Sequence, residues 1–208
     1  MRQSQPHSPE LGGVEVHGMN RASFILRGAM TAGAVYGATA VGPFVSNAFA
    51  SGTSDIEILN FALTLEYLET NFYKVKGKAV NLSGEAKALA AEFGAEEQEH
   101  VGALTQAIKN GGGKPVAMPK FAFPVTDEKS FLKLAYTLEN VGVGAYNGAG
   151  PSLTSKALLA AAGSIVQVEA RHAAAIALLT GGMITPSGAF DTALTKATVL
   201  KAAGPLIK

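Results

Sequence analysis

Two short stretches constrain the fold more than anything else in the chain: "EFGAEEQEHV", with Glu97 three residues before His100, and "QVEARHAAA", with Glu169 three residues before His172. In both, the pair lies on the same line as apolar residues at three- and four-residue spacing, which is the buried stripe of an amphipathic helix. A carboxylate left alone in an apolar core costs several kcal/mol or takes up a proton, so a fold containing these stripes must supply each pair with partners. The residues from Ser51 onward contain only two histidines, and both fall in this pattern although glutamate is sparse there.

Four long segments carry helical periodicity. The first runs from about Asp55, an N-cap candidate, to about Val75, with Leu59, Leu63, Glu66, Thr70 and Tyr73 on one side. The second starts after Leu82-Ser83 and ends at Gly111, with Phe93, Glu97, His100 and Leu104 on its stripe. The third, from about Asp127 to Gly148, aligns Phe131, Leu138, Glu139 and Tyr146; the fourth, from about Ser155 to Gly181, aligns Leu158, Ile165, Glu169, His172 and Ile176. Each is expected to break at glycine, as helix C-termini commonly do. A short fifth helix is expected from Phe190 to Ala203.

The connections set the topology. Those near "KGKAVNLS" and "GAGPSLT" are short and imply antiparallel hairpins, whereas "GGGKPVAMPKFAFPVT" joins the second and third segments over 16 residues. Sixteen extended residues span about 50 Å, and a helix of some 25 residues is about 38 Å long. The middle connection can therefore run the length of the bundle and make the second and third helices parallel. This predicts an all-α fold, a four-helix bundle with one long crossover and a short C-terminal helix, resembling ferritin-like folds.

Every stripe then contributes a residue foreign to an apolar core: Glu66, Glu97 with His100, Glu139, and Glu169 with His172. The halves repeat each other, since Glu66 and Glu139 are each followed seven residues later by a tyrosine, Tyr73 and Tyr146, and then by a Glu-x-x-His pair. Hairpin geometry brings all six side chains to mid-bundle. One carboxylate from each of two helices plus Glu-x-x-His from each of the other two is the arrangement of di-iron and di-manganese carboxylate proteins. Four carboxylates and two neutral imidazoles also balance two divalent cations. The expected cofactor is two iron ions, with manganese as the alternative.

Neighbouring residues leave choices open. Glu69 could replace Glu66 as a ligand, orient a histidine, or sit partly exposed. Glu96 and Glu99 are expected on a solvated face, and Arg171 in a surface ion pair. Tyr73 and Tyr146 could hydrogen-bond ligands, carry oxidising equivalents away from the metals in support of catalysis, or simply pack in the core. "GGGKP" lacks the ending of a phosphate loop, and "FAFPV" is expected to anchor the crossover on the bundle.

The stretches "DIEILNFALTLEYLETNFY", "EEQEHVGALTQAIKNGGGKP", "LENVGVGAYNGAGP" and "VEARHAAAIALL" together resemble the exported ferritin-like domain family, sometimes labelled desiccation-related, within the ferritin/rubrerythrin superfamily. The resemblance covers about Asp55 to Leu179 and implies Glu66, Glu97, His100, Glu139, Glu169 and His172 as metal ligands. It is specific for fold and dinuclear site and not for reaction, because relatives include iron oxidases, peroxidases and manganese catalases.

Residues 1–50 read differently. A polar opening is followed by "MNRASFILRGAMTAGAVYGATAVGPFVSNAFA", whose order of charge, weakly apolar run and Ala48-Phe49-Ala50 is that of an export signal. Met19 is a candidate start. Only Arg21 of a twin-arginine pair is present, so both the twin-arginine and Sec routes stay open, as does an uncleaved anchor. The expected organisation is a leader over 1–50 and one bundle domain over 51–208, delivered to the periplasm or cell envelope and free of the membrane after cleavage.

From Ser51 onward acidic and basic residues balance, so no basic field for nucleic acid is present. Cysteine is absent, which excludes disulfides, thiol catalysis and a cysteine-ligated iron centre. The leading expectation is a dinuclear oxidoreductase, of ferroxidase, peroxidase or catalase type, acting on oxygen or hydrogen peroxide. The alternative is a metal-binding or structural bundle for envelope stress, without turnover. The Ala- and Gly-rich stretches of the third and fourth helices could form the face of a homodimer.

Overall fold

The structure is a computed structural model and describes residues 53–208; the expected leader lies outside the described residues. Five helices carry the fold: α1 Thr53–Ala79, α2 Gly84–Asn110, α3 Glu128–Ala149, α4 Lys156–Thr180 and α5 Lys196–Ala203, with 3-10 turns at Gly150–Ser152 and Gly204–Leu206. The only β pairing among the described residues is one isolated bridge between Phe121 and Ile207. No helix among them is long and apolar enough to cross a membrane.

Three helix starts follow from their caps. The Ser83 hydroxyl accepts from Ala86 N–H and Ser155 accepts from Leu158 N–H, both at 3.3 Å, while Asp127 and Ser130 form a reciprocal capping box. Each satisfies amide groups that the first turn leaves without partners. At the far end of α4, Gly181 adopts φ 69°, the left-handed conformation that closes a helix and that glycine adopts without steric cost.

Three expectations are corrected. α1 does not end near Val75 but continues through Gly77 to Ala79. A Cβ on Gly77 would sit 3.3 Å from that of Ala90, so this glycine permits close contact with α2 and does not terminate the helix. Asp55 is not the cap of α1, which begins at Thr53. It is fully buried, and its carboxylate accepts from Thr154 N–H and hydroxyl, both at 2.9 Å, and from Ser155 N–H at 3.1 Å, tying α1 to the α3–α4 connection. The fifth helix starts only at Lys196, behind a Thr195 cap, because Leu194 is held against α3 by donating its N–H to Gly144 O at 2.8 Å.

α1 and α2 form one hairpin and α3 and α4 the other. Tyr73 of α1 reaches Glu139 of α3 while Glu66 reaches Tyr146, so α1 and α3 are antiparallel and α2 and α3 run parallel. The crossover is pinned at both ends. Asn60 accepts from Val116 N–H at 2.8 Å, and farther on Ala122 N–H donates to Leu206 O at 2.9 Å. Phe123 and Val125 are buried, with Phe123 edge-on to Phe72, as "FAFPV" predicts. Phe72 itself is fully enclosed and stacks on Phe131 at 4.7 Å. Burying an aromatic of this size stabilises by about 2–3 kcal/mol, and this cluster fixes one end of the bundle against the crossover.

Candidate metal centre

Glu66, Glu97, Glu139 and Glu169 are all fully buried at mid-bundle, and His100 and His172 are buried beside them. All six residues predicted from the stripes converge. They fall into two groups, Glu66–Glu97–His100–Glu169 and Glu97–Glu139–Glu169–His172, in each of which one donor atom per residue lies within 4.8 Å of the others. Glu97 and Glu169 belong to both groups. Each Glu-x-x-His thus supplies a shared carboxylate and an imidazole for one side, while Glu66 and Glu139 each serve one side only.

The imidazoles face the carboxylates through Nδ1. His100 Nδ1 lies 3.2 Å from Glu66, 3.0 Å from Glu97 and 3.2 Å from Glu169; His172 Nδ1 lies 2.9 Å from Glu97 and 3.2 Å from Glu139. Even so, Glu97 Oε1 and both oxygens of Glu169 are buried without a hydrogen bond, because the nearby ring nitrogens are close but off the hydrogen-bonding direction. Buried oxygens without donors are costly unless a cation satisfies them. The two shared carboxylates are where these orphaned atoms occur, so the donor set fits two adjacent cations.

The tyrosines cross between the halves. Tyr73 donates to Glu139 Oε1 and Tyr146 donates to Glu66 Oε1, so each unshared carboxylate is oriented by the phenol of the other repeat. Burial, then the neighbouring carboxylates, push both phenols well above their ordinary range, and they remain donors.

The same packing sets the protonation of these groups. Burial works against a charged His100, but the charge of Glu66, its contacts to Glu66 and Glu97 and the nearby Glu169 carboxylate outweigh it and hold the ring protonated. Likewise His172 is raised to about 11, burial being overcome by Glu139 and Glu97. Burial and the charge of Glu66 raise Glu97 to about 7, and burial with the charge of Glu97 raises Glu169 well above the usual carboxylate range. Burial also pushes Glu66 up, but the charge of His100 prevails and leaves it below its ordinary value.

Two further carboxylates join the site. Glu69, left open between ligand and exposed residue, is only 3% exposed; burial and then Glu169 raise it well above the carboxylate range. It fits because residue 142 is glycine, whose Cβ would stand 3.1 Å from Glu169 Oε2 and 3.3 Å from Glu69 Oε1. Glu96 corrects the expectation of a purely solvated face. Its side chain is 44% exposed, yet its carboxylate lies 2.6 Å from His172 Nε2 and anchors the ring on the side away from the cluster, while Phe93 stacks on it at 4.0 Å. A carboxylate on the outer nitrogen fixes a ligand ring's orientation. Glu99 is exposed as expected; Arg171 is exposed too but makes no ion pair among the described residues.

A family model described as a ferritin-like domain matches residues 54–182, spanning α1 through α4. No curated protein matches the chain.

Proposed function

The chain belongs to the ferritin-like domain family, and from that premise we propose that it is a dinuclear carboxylate protein, of the exported type, that acts as an oxidoreductase on oxygen or hydrogen peroxide. The observation that carries this reading is the sharing of Glu97 and Glu169 between two ligand groups while three of their four oxygens lack hydrogen-bond donors. Glu66 and His100 would complete one position, Glu139 and His172 the other. Iron is the first expectation and manganese the alternative, since hard carboxylate donors with one imidazole each suit both.

When bound, the pair of ions would supply electrons one from each to the oxidant. The rest falls to the chain. Glu97 and Glu169 would each contribute to holding both ions, and Glu66 and Glu139 one ion each. Tyr73 and Tyr146 restrain the unshared carboxylates and keep their own protons, so they act here by orienting ligands. The buried surroundings exclude water from the cluster and strengthen its electrostatics. An export signal of the kind read in residues 1–50 would deliver this activity to the cell envelope.

The test begins with metal content of protein purified from an exporting host. Ferrous iron is then added anaerobically, oxygen or peroxide admitted, and absorbance and oxidant consumption followed. About two iron or manganese ions per chain with repeated turnover is the expected result. Two ions without turnover would leave a structural metal binder for envelope stress, and failure to take up any metal would remove the dinuclear reading altogether.

A further inference from the structure

One helical turn from the cluster, toward the end of the bundle where α1 begins, lies a partly open apolar cavity of about 30 Å³ bounded in part by Leu59, Ala62, Leu65, Leu104, Ala145 and Tyr146. Its position relative to the metal centre follows from register. Ala62 is four residues before Glu66 on α1, and Leu104 is four residues after His100 on the antiparallel α2, so both displacements point the same way along the bundle. Tyr146 is the one bounding residue whose side chain carries a polar group, and its hydroxyl is already committed to Glu66. Every other bounding side chain is hydrocarbon.

That lining selects by chemistry. A water-sized guest needs about 10–15 Å³, so there is room for one small molecule. Water or hydrogen peroxide entering would give up hydrogen bonds on the side facing this wall, which the wall does not replace, at a cost of about 1–3 kcal/mol for each polar group so enclosed. Dioxygen has no such bonds to lose. We propose that this cavity holds dioxygen beside the Glu66–His100 side of the cluster, making dioxygen the oxidant that the protein is built to receive. The inference rests on the dinuclear redox reading above. It goes beyond it by assigning a second site, built of apolar residues that bind no metal, and by separating two oxidants that the ligand set treats alike.

Xenon, an apolar guest of similar size, is the direct probe. Crystals of the full chain under xenon pressure, with and without metal, should show xenon in this cavity. Ala62→Val adds two methyl groups to the wall and should exclude it, while Leu104→Ala should raise its occupancy. In steady-state oxidation Ala62→Val should raise KM for dioxygen several-fold while kcat, metal content and the rate with peroxide stay near those of the unaltered protein. Absence of xenon from the unaltered protein would overturn the proposal, as would a variant that excludes xenon yet leaves the oxygen dependence unchanged. An equal shift in the peroxide dependence would also overturn it, because the cavity would then not discriminate. If the unaltered protein binds metal but oxidises nothing, the redox reading has failed, and a xenon-filled cavity would be a packing void without a reaction to serve.

Discussion

Titrating the metal-free protein with a divalent ion at several pH values probes the cluster more directly than any substitution. In the metal-free state His172 is protonated up to about pH 11, and His100 is held protonated by Glu66 and the hydrogen bonds around it. Glu97 is about half protonated at pH 7, and Glu169 is raised well above the ordinary carboxylate range. Ligation requires neutral imidazoles and ionised carboxylates, so these protons must leave as the ions enter. Two come from the histidines and the rest from the shared carboxylates, or about three per pair of ions near neutrality. The sign follows: groups protonated when free and deprotonated when loaded make binding stronger as pH rises. With about three protons displaced, the product of the two association constants should rise about a thousandfold per pH unit between about pH 6 and pH 8. Zinc, which does not change oxidation state, allows this to be measured in air. Calorimetry in buffers of different ionisation enthalpy counts the protons directly. Uptake of two ions with no proton release, or with affinity flat across that range, would refute the protonated cluster and with it the assignment of His100 and His172 as ligands.

Further outcomes follow from the same geometry. In the metal-free protein, groups raised above their unfolded values stabilise only while protonated, so raising the pH from 4.5 through about 7 should remove the contribution of Glu97, about 3 kcal/mol; thermal unfolding should show the bundle weaker at pH 7.5 than at pH 5, and an unchanged midpoint would contradict this. His100→Ala takes the only imidazole from one ligand group and should reduce bound metal from about two ions to one or none by elemental analysis. Glu96→Gln keeps the shape but removes the charged acceptor at His172 Nε2, and should weaken metal binding about 10–100-fold without changing helix content. Gly148→Ala would place a Cβ 1.9 Å from Leu194 O, and should lower stability by about 1–3 kcal/mol by lifting the segment before α5 from α3; circular dichroism melts would detect it, and an unaltered melt would mean the segment is not docked there.

The legible parts of the fold were those fixed by local chemistry. Ser83, Asp127 and Ser155 are each followed by amides that their side chains can cap, and α2, α3 and α4 start where these residues stand. What could not be read depended on a partner distant in sequence. Gly77 looks like a terminator until Ala90 is seen against it, and Asp55 looks like a cap until Thr154 and Ser155 approach from another helix. The small-residue face of α3 has the same history. It suits a dimer contact, but at Gly144 and Gly148 the chain's own Leu194 covers it.

The site divides along the same line, and the division shows that its two sides are not equivalent. The six converging residues were legible because the halves repeat: Glu66 with Tyr73 answers Glu139 with Tyr146, and the two Glu-x-x-His pairs answer each other. Glu69 was left open between ligand and exposed residue and Glu96 was read as solvated, because neither has a counterpart in the other half. The repeat puts Gly142 opposite Glu69, and it is the missing side chain at Gly142 that leaves room for the Glu69 carboxylate near Glu169. It puts Val168 opposite Glu96, so only His172 gains a carboxylate on its outer nitrogen. His172 is also the more enclosed ring, its side chain 2% exposed against 11% for His100, with Phe93 stacked on it. Orientation by Glu96 and enclosure both favour a firmly held ligand on the Glu139–His172 side. The Glu66–His100 side has the looser ring, and the apolar cavity lies next to it. On the dinuclear redox function proposed above, the bundle would hold one ion firmly and leave the other to meet the oxidant, and the residues that break its symmetry would make that difference.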